Sequence, residues 1–168
     1  MDIVLGLNSG CDRVFKKNIG NLYIMTGEKR YDKYIMLKEY PCENKEINEH
    51  LSLHKNELIN RDFRYFKEDN WWKWQNAPDR IRKIERHYGK DCIYVKLYTT
   101  DDKIAFKDKV QYFKDNMVML FPKSILSKNS SYMEKLVELL NTTLKSNYTT
   151  AGLFMIEPFQ LNNFLNAF

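Results

Sequence analysis

Short apolar runs broken by Gly, Asn and Asp fill the first third of the chain: Ile3-Val4-Leu5, Val14-Phe15, Leu22-Tyr23-Ile24-Met25 and Tyr34-Ile35-Met36-Leu37. Runs of this length between turn-forming residues predict strands of one sheet. From Glu46 to about Asn60 the apolar positions Ile47, Leu51, Leu58 and Ile59 shift to a helical period, after Pro41 and Asn44 as start signals. Leu51, Leu58 and Ile59 are expected to face the core. Pro78 opens a second helix through Ile81 and Ile84 to Gly89, the most basic of the chain, with Arg80, Arg82, Lys83 and Arg86. Ile93, Val95 and Leu97 alternate with Tyr94, Lys96 and Tyr98, which predicts a half-buried strand, and Met117–Phe121 predicts a central one ended by Pro122. Ser130 or Ser131, with Glu134, predicts a helix start ahead of the stripe Met133, Leu136, Val137, Leu140 and Leu144. Gly152 to Ile156 predicts a short strand, and Pro158 a final helix through Leu161, Phe164 and Leu165.

Helices interrupt the strands without a regular βαβ alternation, and there is no internal repeat, low-complexity tract or linker. The expected architecture over residues 1–168 is therefore one α+β domain, with a mixed or antiparallel sheet and interspersed helices. A chain of 168 residues with 43% hydrophobic content is long enough to bury a substantial core. Its formal charge of +5, from 27 basic and 22 acidic residues, favours a polyanionic partner. Cys11, Cys42 and Cys92 are odd in number and irregular in spacing, which fits reduced thiols better than a disulfide framework or a zinc site. The run Ile3–Leu5 is too short for a signal peptide, and no apolar stretch reaches a membrane span. The expectation is a soluble, cytoplasmic protein. The immediate passage from Met1-Asp2 into a strand and a glycine loop is what a piece of a longer protein would show.

All three tryptophans lie in Asn70-Trp71-Trp72-Lys73-Trp74-Gln75. Such a cluster serves as a core anchor or a stacking platform, and at least two of the indoles are expected in the core. Signatures of catalysis are missing. Gly6-Leu7-Asn8-Ser9-Gly10 lacks the spacing of a dinucleotide or Walker loop. His50 and His54 stand four apart but have neither a glutamate after the first His nor a third ligand, so no metal site is expected. No Ser elbow is present, and the carboxylates are scattered among lysines.

The order Gly6-Leu7-Asn8-Ser9-Gly10…Arg13-Val14-Phe15, Leu58…Arg61, Asn70-Trp71-Trp72-Lys73-Trp74, Ile93-Tyr94-Val95-Lys96, Leu139-Leu140-Asn141-Thr142 and Gly152…Leu161-Asn162-Asn163 resembles the TaqI-like C-terminal specificity domain of adenine-specific DNA methyltransferases of restriction-modification systems. The likeness extends over nearly the whole chain, through short motifs. Gln75 stands where a glycine often follows the tryptophan box, and Thr142 where serine is usual. The N-P-P-Y type motif and the glycine-rich loop for S-adenosylmethionine, both of the family's catalytic half, do not occur. The resemblance implies a target recognition domain that binds double-stranded DNA. A separate methyltransferase catalytic domain would hold S-adenosylmethionine, flip the base and transfer the methyl group, with no catalytic residue and no cofactor in this chain.

A domain of that kind needs cations for phosphates and loop side chains for base edges. Arg61, Arg64, Lys73, Arg80, Arg82 and Lys96 flank the aromatic box or lie in the adjacent helix and strand. Asn8, Ser9, Arg13 and Lys16 belong to the glycine loop, where Gly6 and Gly10 permit close backbone approach. Trp74 is the indole expected against sugar or base. Two rival readings share the same size and lack of catalytic motifs. One is a stand-alone protein-binding module, an immunity or inhibitor protein, using the tryptophan patch. The other is a small metal-dependent nuclease built on Asp101-Asp102 and Lys103, a cluster that reads more simply as a turn.

Overall fold

Alternation along two apolar strands organises the molecule. In the computed structural model, which describes residues 1–62, 64–75, 77–124 and 129–167, the main sheet is antiparallel. It consists of β1 (Asp2–Leu5), β4 (Asp91–Lys96), β6 (Ala105–Lys109) and β7 (Met117–Phe121), in the order β1-β7-β4-β6. Met117, Met119 and Phe121 of β7, with Cys92 and Tyr94 of β4, enter one hydrophobic cluster; Val118, Leu120, Ile93 and Val95 enter the other. A period of two thus feeds two cores from one sheet.

The expectation of a half-buried strand at β4 is corrected, since Cys92 through Lys96 are all buried. Tyr94 and Lys96 tolerate this because their polar tips are satisfied. The Tyr94 hydroxyl donates to the Lys109 carbonyl at 3.1 Å, and Lys96 Nζ reaches Asp101 Oδ2 at 2.7 Å and the Lys103 carbonyl at 2.8 Å.

The second core is closed by α5 (Ser130–Leu139), a π-helical turn over Leu140–Leu144, α6 (Lys145–Tyr148) and α7 (Pro158–Asn166), with the small sheet β5-β9-β8 (Tyr98–Thr99, Leu153–Met155, Thr149–Thr150) beside them. The cap of α5 is Asn129, whose side chain accepts from Ser131 N, rather than either serine; Ser130 instead donates to Glu134. Asn141 lies in the π turn and uses all four of its amide positions. Its Oδ1 accepts from Ile104 N at 2.8 Å and Ala105 N at 3.0 Å, while Nδ2 donates to the Ala105 and Val137 carbonyls. The residue fastens this helix to the edge of β6.

On the first face lie α2 (Lys45–Leu53), α3 (Lys55–Asn60) and α4 (Ala77–Glu85), together with the hairpin of β2 (Leu22–Gly27) and β3 (Arg30–Tyr34). The single helix expected over 46–60 is two, parted at His54. Leu51 and Leu58 are buried as expected, whereas Ile59 is half-buried. Two expected strands are also corrected. Val14 and Phe15 belong to one helical turn, α1 (Asp12–Phe15), and β3 ends at Tyr34, so Ile35–Leu37 form no strand. No helix among the described residues is long and apolar enough to cross a membrane.

Candidate functional site

The glycine loop, the end of α3 and the tryptophan box are tied together by one guanidinium. Arg61 Nε donates to the Leu58 carbonyl at 3.0 Å, Nη1 to Ser9 at 2.7 Å, and Nη2 to Trp71 at 2.8 Å and Lys73 at 2.9 Å. Its guanidinium also lies over the rings of Phe66 and Phe15, at 3.9 and 5.1 Å from their centroids. Burial lowers its pKa to about 10, which leaves it charged at neutral pH.

Glycine at position 6 is required by contact. A Cβ there would sit 2.0 Å from the Lys114 carbonyl oxygen. Gly10 has φ +72°, a conformation that favours glycine, and the Asn8 side chain accepts from its N–H at 2.7 Å. Arg80 Nη1 donates to the Gly6 carbonyl at 2.6 Å, bringing α4 onto the same loop.

Trp71 and Trp74 are buried, 3% and 1% exposed, and Trp72 is half-buried. Trp74 Nε1 donates to the Ile35 carbonyl at 2.9 Å, and its ring meets Tyr34 edge-on at 5.4 Å. No face of Trp74 remains for a sugar or base, so its expected stacking role is corrected to a core anchor. With two of the three indoles inside, Trp72 is the indole of the box that is left partly open. An apolar groove of about 740 Å³ does flank the box, lined among others by Leu22, Met36, Ile47, Ile81 and Tyr112.

A polar cleft of about 450 Å³ opens beside the glycine loop, lined by Asn8, Ser9, Asp12, Lys16, Asp32, Tyr34, Lys114 and Asn116 among others. Asp12 is its hub, accepting from Ser9 Oγ at 2.5 Å, Lys114 Nζ at 2.9 Å and Tyr34 OH at 3.1 Å. Burial opposes ionisation of Asp12, but those three hydrogen bonds outweigh it and hold the carboxyl below its ordinary value. Lys114 is 8% exposed and lies 5.2 Å from the Tyr34 ring centroid and 5.7 Å from that of Trp74.

The residues expected to contact DNA fall into two groups. Ser9, Arg61, Trp74, Arg80 and Lys96 are turned inward: Ser9 is fully buried, Lys96 is 6% exposed, and the two arginines bond main-chain carbonyls. Their polar groups are committed to holding the fold, which displaces them from the contact roles expected for them. Asn8, Arg13, Lys16, Arg64 and Arg82 are exposed, and Lys73 is half-exposed with its ammonium 5.7 Å from the Trp72 ring centroid. Arg13 pairs with Glu57, Lys16 with Asp32 at 2.7 Å, and Arg82 with Asp79.

His50 and His54 have rings 4.9 Å apart but serve different partners: His50 Nε2 lies 2.9 Å from the Val14 carbonyl and His54 Nδ1 3.3 Å from Glu57. The Asp101–Lys103 cluster is a tether. Asp101 holds Arg30 and Lys96, each at 2.7 Å, and Lys103 holds Glu28 at 2.7 Å, fixing the tip of the β2–β3 hairpin. Sequence reasoning missed Lys114, Asp12 and Tyr34. Their separation along the chain hides the cluster, and only the Ser9-x-x-Asp12 spacing hints at it. No family model matches this chain, and no curated protein matches it either.

Proposed function

We propose that this chain is a sequence-specific DNA-binding domain, the target recognition part of an adenine-specific DNA methyltransferase of a restriction-modification system. The observation that carries the reading is the union made by Arg61. Three separated segments that together resemble the specificity domain, residues 6–15, 58–61 and 70–74, are bonded into one unit in space. Their glycines and indoles build a rigid loop, and the exposed residues around it do the contacting.

Arg13, Lys16 and Arg82 are held only in exposed ion pairs, which are weak enough for a phosphate to displace. Together with Arg64 and Lys73 they supply phosphate contacts, while Asn8 at the cleft rim is placed to meet a base edge. Methyl transfer and base flipping belong to a separate domain that holds S-adenosylmethionine.

The test is fluorescence anisotropy of a labelled duplex pool with the purified chain. Binding should weaken by orders of magnitude between about 50 and 200 mM salt if several phosphates are engaged. Lys73→Ala combined with Arg82→Ala should weaken it further without altering the thermal melt. Affinity indifferent to salt and to both substitutions would refute the reading.

A further inference from the structure

We infer that the outer face of the β2–β3 ribbon is a second surface that lies against DNA, with Tyr23 and Tyr31 on the bases and sugars and Lys17 and Lys33 on the phosphates. This rests on the DNA-binding reading above and adds to it a face across the ribbon from Lys16 and the polar cleft.

The face follows from strand register. Tyr23 pairs with Lys33 and Met25 with Tyr31 across the hairpin. On the other side of β3, Lys16 pairs antiparallel with Tyr34, Lys17 N donates to the Lys33 carbonyl at 3.1 Å and Ile35 N to the Phe15 carbonyl at 2.8 Å. Side chains alternate across such a ladder, so Lys16, Asp32 and Tyr34 share the inner face, where all three line the polar cleft. Lys17, Lys33, Tyr23 and Tyr31 share the outer face.

Burial agrees with this division except at Met25, which shares the outer face through its pairing with Tyr31 yet is fully buried where its backbone pairs with Tyr112 and Lys114, so that end of the ribbon is covered. Tyr34 is 1% exposed, whereas Tyr23 is 63% and Tyr31 44% exposed. Both rings offer a flat apolar surface with a polar tip beside the lysines of the same face. Lys33 Nζ lies 5.3 Å from the Tyr23 ring centroid. The two acids of the hairpin are paired elsewhere: Asp32 with Lys16 on the inner face and Glu28 at the turn with Lys103.

Cations and open aromatic rings match a nucleic acid, whose phosphates take the lysines and whose bases and sugars take the rings. The tip is held in advance by Arg30–Asp101, Lys96–Asp101 and Lys103–Glu28, so docking need not order it. Lys96, buried under this tether, thus becomes a positioning residue for the ribbon.

The experiment compares duplex binding by the full chain with that of two double variants, Tyr23→Ala/Tyr31→Ala and Lys17→Ala/Lys33→Ala, with far-ultraviolet circular dichroism and thermal melts as folding controls. The tyrosine pair should weaken binding about tenfold or more. Loss of the lysine pair should reduce the slope of log affinity against log salt by roughly 2, about 1 for each phosphate contact. Tyr23→Phe/Tyr31→Phe should recover most of the loss, since the rings remain. If the unaltered chain binds DNA and both double variants bind equally well with unchanged slope, the ribbon is not a contact face although the DNA reading stands. If the unaltered chain binds no duplex at low salt, both fall.

Discussion

The Arg61 guanidinium donates to the Ser9 carbonyl at 2.7 Å, joining residues 52 positions apart. It is the contact through which the glycine loop takes its position from the tryptophan box. Removing the side chain leaves the carbonyls of Leu58, Ser9, Trp71 and Lys73 without their donor. Arg61→Ala is expected to cost about 3–5 kcal/mol in urea unfolding, because several half-buried acceptors lose a charged partner at once. Arg61→Lys should recover little, since an ammonium cannot reproduce the planar fork. A loss below about 1 kcal/mol would mean that Arg61 is an ordinary surface residue.

Gly6→Ala tests the loop from its other side. The added methyl would meet the Lys114 carbonyl at 2.0 Å, and neither backbone can retreat without breaking the bonds Leu7 N to Phe113 O and Asp115 N to Leu7 O. A destabilisation of about 2–3 kcal/mol is expected by denaturant titration. Gly89→Ala, where a Cβ meets nothing within 4 Å but φ is +76°, should cost less. Equal costs would show that backbone conformation, not the close approach, governs position 6.

Asn141 makes a prediction in the second core. Asn141→Leu strips Ile104 N and Ala105 N of their acceptor and should destabilise by about 2–4 kcal/mol. Asn141→Asp keeps the acceptor but sets a carboxylate oxygen against the Ala105 and Val137 carbonyls, so at neutral pH it should cost at least as much as Asn141→Leu. Its effect on DNA binding, measured where the variant is still folded, should be negligible, because this residue of the Leu-Leu-Asn-Thr motif only fastens the helix to β6.

Acid stability reports on the hairpin tether. Hydrogen bonds from Lys96 and Arg30 lower the Asp101 pKa to about 2. Between about pH 4 and 2 the unfolded chain binds a proton at this position that the folded chain does not, so stability rises with pH across that window. This contribution is fully present above about pH 4 and is lost as the pH falls through 2. Asp101→Asn should flatten the stability–pH curve in that interval and nowhere else. Direct titration of Asp101 by carboxyl-carbon NMR should give a midpoint well under 3; a midpoint near 4 would show that the tether is not formed in solution.

Much of the architecture was legible from periodicity. Met117–Phe121 reads as a central strand from its unbroken apolar run, and β7 does pair with β1 on one side and β4 on the other. Of the predicted stripe, Met133, Leu136, Leu140 and Leu144 are buried, whereas Val137 is half-buried at its edge. Most of the errors arise where polar groups that residue type places in solvent find partners inside the fold. Tyr94 and Lys96 read as solvent-facing by residue type, yet their tips find partners inside. Arg61 reads as a surface cation, although four carbonyls drawn from three segments turn it inward. Val14-Phe15 reads as a strand because a two-residue apolar run carries no period. The tyrosine-bearing ribbon escaped notice for a related reason: Tyr23 and Tyr31 look like ordinary strand aromatics until the register places them together on the open face.

Selection from a pool of randomised DNA duplexes decides whether the chain reads a DNA sequence. The purified chain is incubated with the pool in excess non-specific competitor at moderate salt, and the bound duplexes are sequenced over successive rounds. A target recognition domain should enrich one short sequence containing adenine, and substitutions in that sequence should each weaken binding by about 1–3 kcal/mol. A bound pool that stays random, or a chain that retains no duplex at all, would contradict the account.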